Sequence, residues 1–363
     1  MLWSRDRNTR DWISARPLAI AADTPVITSA GGTEPNLLAA LRDGGLPVGT
    51  DPREFRTEAE FAARVTEALS DGLLMSMEYP QPAALYPAER SVKSAELVGY
   101  LNNKASIGTF VAPRFQARRQ IVTVDELAEA TPAEKSWVLK AATNDAHGAS
   151  LSVYLHRAGD PVILPAFADI VTAVVVEEYL NIHRNWGVQL YVAADGQARL
   201  LAVTDQLIDA DGVYTGGRFG LVPLPADLLT ECLAVTQRAA DVGYRGMCSL
   251  DCAQTNDGRL LMFDLNFRIT GGSIPLLALN TIRPDALDCP SESTKLITSA
   301  PIGALLAELR PALQRGGLIV TGGHDTRRTD NTINQTTLHL IVFGDDHDDV
   351  TTRRTKLEAM YNH

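Results

Sequence analysis

The chain has 363 residues, 45% of them hydrophobic and 21% charged, a balance that suits a globular protein of about two to three domains with a sizeable core. With 33 basic residues against 44 acidic ones the formal charge is −11, which argues against a nucleic-acid backbone or an anionic membrane as partner. The cysteines (Cys232, Cys248, Cys252, Cys289) lack CxxC spacing, no apolar run approaches the ~20 residues of a membrane helix, and Leu18 to Ala22 is too short for a signal-peptide core, so a cytoplasmic protein is expected.

In chain order, Pro25-Val26-Ile27-Thr28-Ser29 reads as a strand followed by a Gly31-Gly32 turn. A helix is expected over Pro35 to Arg42, opened near Thr33 or Glu34 and closed by Gly44-Gly45, and a second over Glu58 to Leu69. Leu73 to Met77 reads as a strand, and Pro80, Pro82 and Pro87 mark a linker. Residues 1–92 are therefore expected to form an N-terminal α/β domain. A second block, 93–182, opens with a helical run over Ala95 to Gly99 that ends at Leu101-Asn102-Asn103-Lys104. It continues with a strand at Ile121–Thr123, a short helix from Asp125, a strand over Ser136 to Ala142, a loop of small polar residues from Thr143 to Ser150, and a β-branched strand over Val171 to Tyr179. A third block, 183–300, has strand signals at Gln189–Val192, Leu200–Thr204, Met247–Ala253 and Leu260–Arg268. The tail, 301–363, reads as a small αβ unit with strands at Leu318–Thr321 and Leu338–Val342 and a charged helix from Asp348 to Tyr361.

The sharpest signal is the stretch from Ser249 to Arg268. Asp257-Gly258 between two strand patterns predicts a hairpin with a two-residue loop. That register sets Asp251 opposite Asp264, with Cβ atoms about 4.5–5.5 Å apart. Like charges so placed repel unless a cation lies between them. Alternation sends Leu261, Phe263, Leu265 and Phe267 into a core and Met262, Asp264, Asn266 and Arg268 to the other face. One face thus gathers Asp251, Asp264 and Asn266, hard oxygen ligands suited to Mg²⁺ on phosphates, with Arg268 just beyond. No GxxxxGK[ST], GxGxxG, HExxH or GxSxG occurs, which leaves the P-loop, dinucleotide-fold, zinc-protease and serine-hydrolase readings without support.

With these residues the chain resembles the ATP-grasp superfamily. Asp264-Leu265-Asn266-Phe267-Arg268-Ile269-Thr270-Gly271-Gly272 resembles its closing (Asp/Glu)-x-Asn-x-Arg-x-x-Gly-Gly signature. Lys104 after Leu101-Asn102-Asn103 resembles the lysine that opens the grasp, and Trp137-Val138-Leu139-Lys140 the second lysine strand. The loop Asn144 to Ser150, with His147, Gly148 and Ser150, resembles the flap over the triphosphate, and Val174 to Leu180, with Glu177, Glu178, Tyr179 and Leu180, the hinge strand that holds adenine. A closer resemblance is to peptide ligases typified by the pheganomycin enzyme, carried by Gln189–Val192, Val203–Gln206 and Tyr214–Phe219.

The resemblance implies an α/β (α+β) ATP-grasp fold with an N-terminal pre-ATP-grasp domain, a small lid subdomain, a large subdomain and a short C-terminal unit. It implies ATP, two Mg²⁺ ions held by Asp251, Asp264 and Asn266, nucleotide phosphates met by Lys104 and Lys140, and Arg268 and Arg218 as catalytic residues. Arg218 reads equally as a substrate clamp or a turn residue. Many members place a ribose-binding glutamate just past the hinge. Asn181 to Trp186 carries no acid, which leaves His183, Asn185 or Glu178 for that contact. The expected function is an ATP-dependent carboxylate–amine ligase working through an acyl phosphate on amino acids or small peptides in specialised metabolism. A phosphotransferase or a non-catalytic ATP-binding module is the alternative. Small-molecule substrates are expected, without nucleic acid or membrane. The oligomeric state stays open, with a homodimer the form to test.

Overall fold

The computed structural model describes residues 7–76, 78, 79, 85, 87–145, 152–160, 165–209, 212–220, 222–282, 287–329 and 333–362. The N-terminal part begins with α1 (Arg7–Ala15) and then a parallel pair, β1 (Val26–Ser29) and β2 (Pro52–Phe55), joined through α2 (Pro35–Asp43). Glu34 caps α2 by accepting from the Leu37 N–H at 2.8 Å, Pro35 fills its first turn, and Gly45 at φ +85° ends it. α3 (Glu58–Ser70) starts at Thr57, whose hydroxyl accepts from the Glu60 N–H. The strand expected at Leu73–Met77 is not formed: over residues 73–76 Met75 makes one isolated parallel bridge to Ser91, and Met77 lies outside the described residues. Pro52–Phe55 takes the place beside β1 instead, a short segment whose half-buried pattern gave no strand signal.

α4 (Ala95–Asn102) and α5 (Ile107–Phe110) lead into a four-stranded antiparallel sheet. It comprises β3 (Arg119–Thr123), β4 (Trp137–Ala141), β5 (Val153–His156) and β6 (Ala173–Glu178), in the order β3-β6-β4-β5, with α6 (Leu127–Ala130) between β3 and β4. One face buries Leu139, Val174 and Val176 with Leu127 and Phe167. The pleat therefore turns Lys140, Val175 and Glu177 to the opposite face.

The largest sheet has eight strands in the order β11-β10-β7-β8-β9-β12-β14-β13. Its members are β7 (Ile182–Val192), β8 (Ala198–Ile208), β9 (Tyr214–Phe219), β10 (Gly246–Thr255), β11 (Leu260–Asn266), β12 (Ser291–Thr298), β13 (Leu318–Asp325) and β14 (Thr336–Phe343). α7 (Ala226–Asp241) covers one face, packing Leu228, Cys232, Val235 and Ala239 on Trp186, Val188, Leu190 and Cys252. α8 (Ser273–Ile282) packs on the other through Leu276 and Leu279 against Phe219 and Ile341. The C-terminal unit extends this sheet, because β12 bridges β9 to β14. α9 (Ile302–Gln314) and α10 (His347–Tyr361) close it, and one core joins Leu18, Leu37 and Leu41 near the N-terminus to Leu305, Leu309, Leu340 and Val350.

Candidate active site

The carboxylate pair lies where β10 meets β11, with Asp251 directly opposite Asp264 and Ser249 opposite Asn266. The expected pairing is present, but by a different route. The loop has three residues, because the Thr255 N–H donates to the Arg259 carbonyl and Gly258 takes φ +88°. That shifts the register by one, and a bulge at Phe263 shifts it back, since Cys252 pairs with Met262 while Asp251 pairs with Asp264. The expected alternation fails there: Met262 joins Leu265 and Phe267 in the core, and Phe263 does not. As the unpaired residue of the bulge, Phe263 has a free carbonyl, and Lys140 Nζ donates to it at 2.7 Å.

Electrostatics splits the two carboxylates. Burial and the neighbouring Asp264 push Asp251 up to about 7, although Gln206 Nε2 donates to its Oδ1 at 2.6 Å. Burial raises Asp264 too, but Lys104, Lys140 and Arg268 outweigh it and hold that carboxyl below the usual range. Lys104, at a side-chain exposure of 7%, forms an ion pair with Asp264 Oδ1. Its backbone is fixed by Asn103, whose side chain accepts from the Ala105 N–H, and its carbonyl accepts from Arg119 Nη2 at 2.8 Å. Lys140 reaches across from the lid and also pairs with Glu177 Oε2 at 2.5 Å. Glu177 is thus committed to orienting Lys140, with Arg119 Nη1 at 3.6 Å on its other oxygen.

Asn266 links the metal-type donors to the arginine. Its Nδ2 donates to Asp251 Oδ2 at 3.2 Å and its Oδ1 accepts from Arg268 Nη2 at 2.9 Å. Gln189 lies behind them, donating to Ser249 Oγ and accepting from Ser273 Oγ, both at 2.9 Å. This buried relay ties β7, β10 and the start of α8 into one rigid floor. Motif reading missed Gln189, Gln206 and Arg119, since each acts through distant strands. A period-two count along β7 and β8 would have set Gln189 and Gln206 on the carboxylate face.

Arg218 stands elsewhere. It pairs with Asp205, which pairs with Trp186, which pairs with Cys252, so all share the α7 face, opposite the carboxylates. Its guanidinium bonds Glu292 at 2.8 Å and Thr351 on α10 at 3.2 Å, and Arg354 completes the cluster. The catalytic role expected for Arg218 is therefore corrected to a structural one. Glu178 accepts from the Arg118 N–H at 2.8 Å and pairs with Arg259 at 2.7 Å, which lowers its pKa against the opposing effect of burial and commits it to tying the hinge to the hairpin loop. Among the residues weighed for the ribose contact, Asn185 carries a buried Oδ1 with no hydrogen-bond partner, and the pleat sets it on the carboxylate face. Tyr179 is exposed and Leu180 half-buried at the end of the hinge strand. His147, Gly148 and Ser150 lie outside the described residues.

A lid sheet with an inward lysine, facing a large sheet whose edge hairpin carries paired carboxylates and an asparagine, defines an ATP-grasp enzyme. The comparisons agree. The family model of the L-aspartate–L-methionine ligase N-terminal domain matches residues 2–99, and that of the ATP-grasp domain of the same ligase matches residues 117–266. The chain belongs to the ATP-grasp ligases. [Butirosin acyl-carrier protein]–L-glutamate ligase of Niallia circulans is 34% identical over 88 residues, a match that spans 23% of this chain and only a fifth (20%) of that protein. Among solved structures, an ADP complex of N5-carboxyaminoimidazole ribonucleotide synthetase superposes with a TM-score of 0.64 at 12% identity, covering 92% of this chain and 94% of that one. The synthetase of the same name from Thermus thermophilus gives 0.58 at 14% identity, covering 92% and 98%. At these identities the likeness speaks for the fold.

Proposed function

We propose that this chain joins a carboxylate to an amine at the expense of ATP, through an acyl phosphate, with an amino acid among its substrates. The observation that supports it most is the in-register pair Asp251–Asp264, flanked by Lys104, Lys140 and Arg268. Asp251 faces Asp264 across the hairpin, and burial together with that neighbour pushes Asp251 up to about 7, a repulsion that a bound cation would relieve. Their oxygen donors, with Asn266 Oδ1, suit Mg²⁺. Asp251, Asp264 and Asn266 would hold the Mg²⁺ ions, which when bound neutralise the triphosphate and the charge developing on it.

The chain's own residues do the rest. Lys140 and Lys104 offer ammonium donors to the nucleotide phosphates from opposite sides, and Glu177 and Asp264 hold them in place meanwhile. Arg268 presents a planar fork to the incoming carboxylate. A carboxylate oxygen attacks the γ-phosphorus and ADP departs. The amine then attacks the acyl carbon, the carbon–oxygen bond breaks, and phosphate leaves with the amine's proton. Asn185 supplies an acceptor for a nucleotide hydroxyl.

The amino-acid substrate class rests on the matched models, which describe an aspartate–methionine ligase, and on a relative named for L-glutamate transfer. The butirosin relative is also the ground for placing the reaction in specialised metabolism, and the demand for ATP is the ground for the cytoplasm. The test is ADP release scored over pairs of amino acids with ATP and Mg²⁺, together with hydroxamate formation when hydroxylamine replaces the amine. Release that needs both partners, with hydroxamate formed, supports the ligase. ADP without hydroxamate or amide makes it a phosphotransferase, and ATP binding without any ADP makes it a nucleotide-sensing module.

A further inference from the structure

The signature strand continues past Asn266 to Arg268, and beyond that guanidinium lies a polar cluster that the reaction above does not use. Arg268 sits over the Tyr79 ring, with Cζ 4.6 Å from its centroid. Beside Tyr79 stands Glu78, whose side chain is only 10% exposed and neither of whose carboxylate oxygens accepts a hydrogen bond. Its closest ion-pair partner is Arg16, with Nη1 at 3.6 Å, beyond hydrogen-bond length. Arg16 is itself incomplete, because its Nε is buried without an acceptor. A buried carboxylate without donors beside a guanidinium whose buried Nε lacks an acceptor is costly for the protein alone. Both defects are filled at once by a molecule that carries an ammonium group and a carboxylate.

The surroundings give that molecule a position. Glu78 feels the charges of Arg16, Arg268 and Lys93, while burial, the largest effect, pushes its pKa up. Asn266 bonds both Asp251 and Arg268, and Arg268 covers Tyr79, so the cluster connects to the carboxylate pair through these contacts. By contact the order is the Asp251–Asp264 pair, Asn266, Arg268, Tyr79 with its neighbour Glu78, and Arg16. Apolar side chains flank Arg16: Ile13 and Tyr79 are buried against Trp12, and Trp12 lies under Arg16 at 5.6 Å and stacks on His339 at 3.7 Å.

We propose that Glu78 and Arg16 form the subsite for the α-amino-acid acceptor, Glu78 receiving its ammonium group and Arg16 its carboxylate. This rests on the ligase reading and deepens it. The acceptor nitrogen at Glu78 stands beside Arg268, on the side where the activated carboxyl is held. N-terminal residues thereby choose the amine, while the two sheets handle ATP.

Binding tests this apart from turnover. The full-length protein, with Mg²⁺ and a non-hydrolysable ATP analogue, is titrated calorimetrically with each of the common L-amino acids, and every binder is repeated as its N-acetyl derivative. At least one amino acid should bind saturably, and N-acetylation should weaken it tenfold or more on the unmodified protein. Glu78→Gln, nearly isosteric, should also weaken that amino acid tenfold or more, with affinity for the ATP analogue and melting temperature held. An N-acetyl derivative that binds like its parent, an unchanged affinity in Glu78→Gln, or a panel without a binder would overturn the assignment. Amino-acid binding as described, with no amide or hydroxamate ever formed, would instead overturn the ligase reading and leave the subsite standing.

Discussion

At the scale of single residues the two carboxylates are equally buried and differ in the cations around them. Asp251 and Asp264 face each other, but the cations gather on Asp264. Asp251→Asn and Asp264→Asn should each lower turnover by at least ~10² at saturating Mg²⁺, since each removes a donor from the group that neutralises the reacting phosphates. Their stabilities should diverge. Asp251→Asn relieves a repulsion and should leave the melting temperature within a few degrees, whereas Asp264→Asn strands buried Lys104 at a cost of about 1–3 kcal/mol, read from denaturant unfolding. Lys140→Met should weaken ATP binding by about 1.5–3 kcal/mol in calorimetry. It also leaves Glu177 with only the more distant Arg119, so stability should fall and the double change Lys140→Met, Glu177→Gln should restore stability without restoring ATP affinity. Arg218→Gln should show the converse. Glu292 is wholly buried and keeps Arg354, so unfolding should cost about 1–2 kcal/mol less, with initial rates unchanged.

The elements show how two local errors cancel. Sequence periodicity sets Asp251 against Asp264 through a two-residue loop, yet the chain uses a three-residue loop and returns to that register through the bulge at Phe263. The bulge has a function, since it frees the carbonyl that Lys140 grips and so fixes the lid against the large sheet. Gly258 holds the loop at φ +88° with open space around its would-be side chain, so strain alone opposes a substitution there. Gly258→Ala should cost about 1 kcal/mol in chemical denaturation, with Kd for ATP unchanged, because the substitution strains the loop without changing its length and so leaves the register of Asp264 as it is. α2, α3 and the charged C-terminal helix were legible because capping residues and glycine stops act within a few residues. β2, β9 and β12 were not: the first two are short and partly buried, and β12, though largely buried, opens on a run of Ser, Thr and charged residues without apolar alternation, so each becomes a strand only when a neighbour supplies hydrogen bonds.

The whole molecule is closed by its ends. Residues near both termini share one core, Leu18, Leu37 and Leu41 against Leu305, Leu309 and Leu340, and β14 completes the pairing of β12. Removing residues 301–363 should therefore damage the N-terminal part as much as the C-terminal one. A chain ending at residue 300 should lose the cooperative thermal transition of the full protein, and in the intact protein amides of β1 and β13 should exchange with similar free energies. Independent melting of the two would contradict a shared core. The same closure brings Arg16 and Glu78 to Arg268, far apart in sequence and joined by no spacing rule.

The sequence by itself carried the resemblance to the ATP-grasp superfamily and, through it, the architecture and most of the charged centre. Asp251, Asp264, Asn266 and Arg268 announce themselves through the spacing and alternation of one hairpin, whereas Lys104 and Lys140 stand out only through the resemblance. Tertiary structure decided which charged groups meet. Arg218 looks as promising as Arg268 in a linear reading, but sheet register turns one to the α7 face and the other to the groove. Glu177 and Glu178 look available for nucleotide until Lys140 and Arg259, from other strands, take them up. Gln189 had only its place in the strand alternation, and Arg119, Arg16 and Glu78 had no local signal at all, because a side chain's role in a buried polar network depends on partners that only the packed fold brings within hydrogen-bond reach.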